Sequence, residues 1–357
     1  MAVRWSPKPL VGVRFPPPEP LLNIIMDKLV VNFIGLDTAV GACNWRWIST
    51  QIALTNSIEL VHSTDANTVW VTLEWAVANE LKFNVKRIII SDLLNYDDCN
   101  NQDWVDVIKK CNQEVICLTN NKLLVDMLNC NVIMYDFLFN RTKLYYFDSE
   151  KTKSKSNELW YYSGLYKLNN LDDKNIKKHY VSPTRRMFDI REQFVDYLKD
   201  NYADKGFIGC LAKGLIIPGD STDTCMGYAP LSSDIYNQTL CSIYTESTFS
   251  ASSIFHATEK TFEPLLKGNY IIPYSNQYFV KNLKLTYGFK FPNNVDYSYD
   301  SEAVPLRRFN KFLTTIKQFC AMSIDELRTS YDKDIAEHNR QIFIDRPYDQ
   351  SIRQLLN

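Results

Sequence analysis

Arg87-Ile88-Ile89-Ile90-Ser91 is the stretch that sets the fold class. Three consecutive isoleucines leave no polar alternation, so the run reads as a strand buried on both faces, as in a parallel sheet covered on two sides. Upstream, Leu29-Val30-Val31-Asn32-Phe33-Ile34-Gly35 is a second β-rich run, ended by Gly35 and followed by a polar loop at Asp37-Thr38; residues 44–55 then read as a helix. Downstream come an amphipathic stretch at 102–112, a strand at 114–118, a helix at 121–129 and a strand at 131–134. Strands alternating with helices of about ten residues predict right-handed βαβ units and a doubly wound sheet. Two aromatic segments, Leu144–Phe147 and Leu159–Tyr162, predict a hairpin around the charged loop Asp148–Asn157.

At Asn169–Lys178 the composition turns to Asn, Asp and Lys, and a second alternation follows. It has strands near 178–182, 207–211, 240–244 and 270–273, with helices at 189–201, within 258–267 and at 275–285. Helical periodicity covers 303–320 and 323–342. The expected division is a Pro-rich disordered leader at 1–25, or an artefact of start-codon choice, then an α/β domain at 26–175. A second α/β domain at 176–320 and a C-terminal helical segment at 321–357 packing back on the first domain complete it. Two doubly wound halves facing each other make a cleft, and ligands of such sheets bind outside the carboxyl ends of the strands.

The chain has 357 residues, 45% of them hydrophobic, which is enough to fill two cores. Lys and Arg number 40 against 41 Asp and Glu, a net charge of −1, which argues against a highly basic nucleic-acid coat. No stretch reaches the apolar length of a membrane span. Nine cysteines at 43, 99, 111, 117, 130, 210, 225, 241 and 320 form no C-x-x-C pair, and the four histidines lie far apart. Neither a zinc cluster nor a disulfide framework is indicated, so the cysteines read as reduced core residues and the expected compartment is the cytoplasm.

The chemistry concentrates in Thr245-Glu246-Ser247 and His256-Ala257-Thr258-Glu259-Lys260-Thr261. Thr258 is a natural N-cap and Gly268 a natural residue just past the helix end. Glu259 and Lys260 then occupy the first turn, where free backbone N–H groups and the positive dipole end favour a phosphate. Pro264 should shorten or kink this helix. The same residues also describe an ordinary capped surface helix with an acid in its first turn. Arg185, Arg186 and Arg191, after the strand ending in Ser182-Pro183-Thr184, suit a diphosphate through their forked guanidinium groups. They fit a solvated surface as well.

The ordered set Thr245-Glu246-Ser247, Thr258-Glu259-Lys260-Thr261, Ile271-Ile272-Pro273, Gly288-Phe289-Lys290-Phe291 and Asp296–Asp300 resembles the donor-binding half of GT-B glycosyltransferases. It is similar to the α1,3-fucosyltransferase-type family and its phage- and virus-encoded relatives. The resemblance covers roughly residues 240–300, with weaker support from 180–200. It implies two Rossmann-like domains and transfer of a sugar from a nucleotide sugar to a hydroxyl, with inversion, no bound metal and no further cofactor. It implies that Glu259 binds hydroxyls of the donor sugar or ribose, that Lys260 binds the diphosphate, and that Glu246, Ser247, His256 and Thr258 line the donor pocket. One of the arginines Arg185 and Arg186 would add a second diphosphate contact. His256 stands where this family usually has Tyr, and Thr-Glu-Ser replaces Phe-Glu-Asn, which widens the expected donor from GDP-fucose to a GDP- or UDP-linked sugar.

A base that takes the acceptor proton is expected from the first domain, with Asp37 preferred over Glu74 and Asp92. The acidic pairs Asp97-Asp98 and Asp172-Asp173 read as turns, and no P-loop, nucleophile elbow or G-x-G-x-x-G is present. The expected acceptor is a glycan or lipid-linked sugar. A hydroxymethylated base in viral DNA is the alternative, for which Lys109-Lys110, Lys174–Lys178 and Arg307-Arg308 would have to supply a local basic groove. A non-catalytic nucleotide-sugar or glycan-binding protein is the rival from another class.

Overall fold

In the computed structural model Arg87–Ser91 is β4, with Ile88, Ile89 and Ile90 wholly buried. The structure describes residues 27–34, 52–56, 58–91, 101–119, 127–148, 168–184, 189–217, 231–246, 255 and 257–356. Around β4 stand β1 (Asp27–Ile34), β2 (Ile58–His62), β3 (Thr68–Thr72), β5 (Glu114–Thr119) and β6 (Asn131–Met134). The sheet order is β2-β1-β3-β4-β5-β6, and every pair is parallel. Ile88 and Ile90 face α1 (Leu73–Ala78) and α2 (Asn101–Lys109) in one core, while Ile89 faces the opposite core with Trp70 and Ile116. Each face of the strand meets an apolar layer, which is why its sequence does not alternate.

The expected strand at Leu144–Phe147 is instead the last part of a helix, α3 (Phe137–Phe147). Asp136 caps it by accepting from the Phe139 N–H. The segment has β-prone aromatics, but Leu138 and Tyr145, and Phe139 and Tyr146, fall seven apart on helical faces and pack into the core that opens toward the second half. The other expected arm, Leu159–Tyr162, lies outside the described residues, as do the leader at 1–25 and most of the helix at 121–129. Between residues 56 and 86, where the sequence reading places no element, the structure has β2, β3 and α1.

The second sheet contains β7 (Lys178–Thr184), β8 (Gly206–Cys210), β9 (Thr239–Thr245) and β10 (Tyr270–Tyr274), in the order β10-β9-β7-β8 and all parallel. Its helices are α4 (Asp189–Tyr202), α5 (Ser233–Gln238), α6 (Glu259–Leu266), α7 (Phe279–Tyr287) and α8 (Pro305–Ala321). The expected helix at 323–342 is two, α9 (Ile324–Ser330) and α10 (Lys333–Asp345), separated at Tyr331 and Asp332. Pro264 is followed two residues later by the end of α6, and Gly268 takes the positive φ of 78° just beyond it. A Cβ at Gly268 would stand 2.2 Å from Leu171 Cδ2. The protein is thus a Rossmann-like α/β molecule with two parallel sheets flanked by helices. Among the described residues no helix is long and apolar enough to cross a membrane.

The chain end returns from the second sheet to the first. Phe343 of α10 stacks on Phe139 with centroids 4.8 Å apart. A terminal 3-10 turn, Ser351–Leu356, buries Ile352 and Leu355 against the first sheet. Gln350 donates to the Thr55 carbonyl at 2.6 Å, and Arg353 donates to the Asn56 carbonyl and Asp27. One apolar cluster therefore runs from Val31 and Trp70 through Phe139, Phe262 and Ile271 to Leu355. The halves meet at α3 and α6, whose side chains pack together in this cluster.

Candidate functional site

In the second sheet β7 lies between β8, which follows it, and β9, which is reached by a longer path. The strand order reverses between β7 and β9, and the crevice of such a sheet lies at the carboxyl ends of those two strands. Thr184 ends β7 and Thr245 ends β9, with Glu246 the next residue.

Glu246 is fully buried, and its carboxylate is turned to the start of α6. It accepts from the Thr258 N–H at 3.0 Å, the Thr258 hydroxyl at 2.7 Å and the Thr261 hydroxyl at 2.6 Å. Thr258 Oγ1 in turn accepts from the Lys260 N–H at 3.3 Å. Thr261 Oγ1 also pairs with the buried Tyr244 hydroxyl at 2.6 Å, and burial first, then Glu246, pushes that phenol well above its ordinary range. A carboxylate with about four acceptor sites has three of them committed to the helix start. The residue that the resemblance places in the donor pocket thus acts here by fixing where α6 begins and where its first-turn N–H groups point.

Arg191, in the first turn of α4, is 3% exposed. Its Nε donates to Thr245 Oγ1 at 3.1 Å, which brings a guanidinium beside the end of β9 and one residue from Glu246. Glu259 and Lys260 are half-buried in the first turn of α6, as the capping pattern predicts. The structure therefore gathers Arg191, Glu246, Thr258, Glu259 and Lys260 at one end of one sheet. Asp37, Arg185, Arg186, Ser247 and His256 lie outside the described residues, as does Asp92; the side chain of Glu74 is likewise not described.

The segments at 271–273, 288–291 and 296–300 pack around this part of the second sheet. Tyr297 donates to the Ile271 carbonyl at 2.8 Å and Tyr299 to the Pro273 carbonyl at 2.9 Å, so the Asp296–Asp300 segment clamps β10. Asp300 accepts from Val280 N at 2.9 Å and Lys281 N at 3.0 Å, capping α7. Phe289 and Phe291 are core residues, and the Lys290 N–H donates to Asn339 at 2.8 Å. Asp172 sits in a 3-10 turn at Leu171–Asp173 and pairs with Lys333.

Behind the site lies a buried ionic group without a sequence motif to announce it. Lys267 and Glu263 are 3.4 Å apart, 0% and 4% exposed, at i and i+4 of the α6 region. Tyr146 of α3 donates to Glu263 Oε1 at 2.8 Å, and Lys267 donates to the Leu231 carbonyl at 2.9 Å. Lys267 also lies over the rings of Tyr146 and Tyr236, at 5.4 and 5.1 Å. Burial pulls its ammonium below the usual lysine range, opposed by Glu263. The i,i+4 spacing of an acid and a lysine was visible in the sequence, but such pairs are usually solvated, so only packing separates this one from a surface pair. No family model matches this chain, and no curated protein matches it.

Proposed function

We propose that the protein is a glycosyltransferase that takes its sugar from a nucleoside-diphosphate donor bound at the carboxyl ends of β7 and β9. The observation that carries this reading is Glu246 holding the first turn of α6 at that strand-order reversal, beside the buried Arg191. The positive dipole end of α6, the Lys260 ammonium and a guanidinium suit a diphosphate, which bears negative charge that grows as the glycosidic bond to phosphate breaks. Glu259 is the acceptor for vicinal hydroxyls of ribose or sugar. The catalytic contribution of this half is electrostatic, stabilising the leaving nucleoside diphosphate. The acceptor hydroxyl enters from the first sheet, which supplies the base, with Asp37 the preferred residue. A glycan or lipid-linked sugar is favoured over DNA as acceptor. Arg308 is 1% exposed and donates to the carbonyls of Ser275 and Glu302, and Lys174 donates to Tyr236 O and Asn269, so one residue in each of two of the three basic clusters is spent internally.

The test is a thermal-shift panel of UDP, GDP, CMP and their sugar conjugates on the wild type, Glu259→Ala and Lys260→Ala. Ligand at 100 times its dissociation constant stabilises by about 2.7 kcal/mol. One nucleotide family should respond, and the response should vanish in Lys260→Ala. A flat panel with folded protein would sink the donor site. Binding without transfer or hydrolysis of the sugar conjugate would leave a binding protein in place of an enzyme.

A further inference from the structure

Cys117 and Cys130 stand with their sulfurs 3.3 Å apart. Cys117 is wholly buried in β5, in register with Val132 of β6. Cys130 sits in the bend that leads into β6 and is half-buried, so solvent reaches it. Cys111, also half-buried, lies at the start of the connection into β5 with its thiol donating to the Val107 carbonyl at 3.4 Å. None of the three is in a disulfide.

The three differ in what their surroundings do to the proton. The hydrogen bond from Cys117 pulls the Cys130 thiol below its ordinary range, against the opposing effect of burial. Burial, and then the charge of Cys130, push Cys111 upward. Of the two half-buried thiols, the one that gives up its proton more readily is thus the one with a second sulfur already in contact. A disulfide has an S–S length of about 2.05 Å, so closure needs roughly a further 1.3 Å of approach, within reach of a side-chain rotation at a bend residue.

We infer that Cys130 and Cys117 form an oxidant-responsive dithiol, in which Cys130 reacts first with a low-molecular-weight disulfide and Cys117 resolves it. The Cys130 thiolate attacks one sulfur of the reagent, whose S–S bond breaks, and one half leaves as a thiolate that takes up a proton. Cys117 releases its proton to solvent and attacks the Cys130 sulfur of the mixed disulfide, expelling the second half. Two protein thiols become one disulfide, and the reagent is reduced to two thiols. The new bond closes the chain between β5 and β6 and ties the bend before β6 to the interior of the sheet.

The full chain is incubated with oxidised glutathione and followed by intact mass, non-reducing peptide mapping and thermal unfolding. The expected product has lost the mass of two hydrogen atoms, yields one cross-linked peptide pair containing Cys117 and Cys130, melts a few degrees higher and reverts with dithiothreitol. Cys117→Ser should accumulate a stable glutathione adduct on Cys130, and Cys111→Ser should behave as the wild type. The peptide map of the unsubstituted protein decides the pairing even where a variant does not fold. A persistent adduct on Cys130 of the unsubstituted protein, a bond from Cys130 to Cys111, or both thiols remaining reduced in folded protein would each overturn the assignment.

Discussion

The Glu246 carboxylate and the Thr258 hydroxyl, twelve positions apart in the chain, meet at 2.7 Å and fix the end of β9 to the start of α6. A carboxylate is a common partner for a helix N-terminus, since it satisfies free N–H groups and opposes the dipole. Here it comes from the preceding strand, so the strand and the helix start form one rigid unit at the candidate phosphate site.

Removing that carboxylate should cost more stability than affinity contacts alone explain. Glu246→Ala strips the acceptor from one N–H and two hydroxyls and should lower stability by about 3 kcal/mol, since each buried donor left unmade costs about 1–3 kcal/mol. Glu246→Gln keeps one acceptor oxygen and should cost about 1 kcal/mol. Urea denaturation followed by circular dichroism reads both. An Ala variant of wild-type stability that fails to bind nucleotide would mean that Glu246 contacts ligand directly.

Lys267 and Glu263 should behave as a coupled pair. Lys267→Met takes the cation from beside the buried Glu263 carboxylate and should cost about 3–5 kcal/mol. Adding Glu263→Gln should recover part of the loss, with a coupling energy of about 1–3 kcal/mol in a double-mutant cycle. Additive losses in the cycle would show that the two groups do not interact.

Asp136 should make stability fall as pH rises. Burial first, with the nearby Asp349 also acting, raises its pKa from 3.8 to about 6, opposed by the Tyr287 hydroxyl, Arg346 and the Phe139 N–H. Between pH 3.8 and about 6 the folded chain holds this proton and the unfolded chain does not, so the contribution present below that window is lost on rising through it. Each pKa unit is worth about 1.4 kcal/mol, and discounting for solvent screening of a half-buried residue leaves about 1–2 kcal/mol. Asp136→Asn keeps a capping oxygen and should abolish this slope, so the difference between wild type and variant should grow over the window and level off above it. A difference that is flat from pH 4 to 7 would refute the shift.

What the sequence made legible follows from what each segment packs against. Arg87–Ser91 is readable because both its faces meet apolar layers, and α6 because Thr258 and Gly268 mark its ends chemically. Ile58–His62 is only five residues with Glu59 and His62 toward solvent, too little pattern to announce an edge strand. Leu144–Phe147 misleads because its aromatics suit a strand locally, while it belongs to α3, which packs through Phe139 on Phe262 and Phe343. The role of Glu246 was hidden for a related reason. A Glu at the end of a strand looks the same whether it faces a ligand or caps a helix twelve residues on, and only the fold brings Thr258 and Thr261 to it.

The chain end supplies the last prediction, on whether the two sheets unfold together. Ile352 and Leu355 are buried in the cluster that also contains Phe262 and Ile271 of the second sheet. Ile352→Ala should cost about 2–5 kcal/mol, the range for truncating a buried aliphatic side chain. Because the cluster is continuous, that loss should appear in both halves: amide exchange should quicken in α6 by the same factor as in β5. Phe312→Ala, made in the separate core of the second sheet, should act on β5 through the same shared transition. If Ile352→Ala speeds exchange in β5 alone and leaves α6 unchanged, the sheets are independent folding units and the packing of α3 on α6 does not couple them.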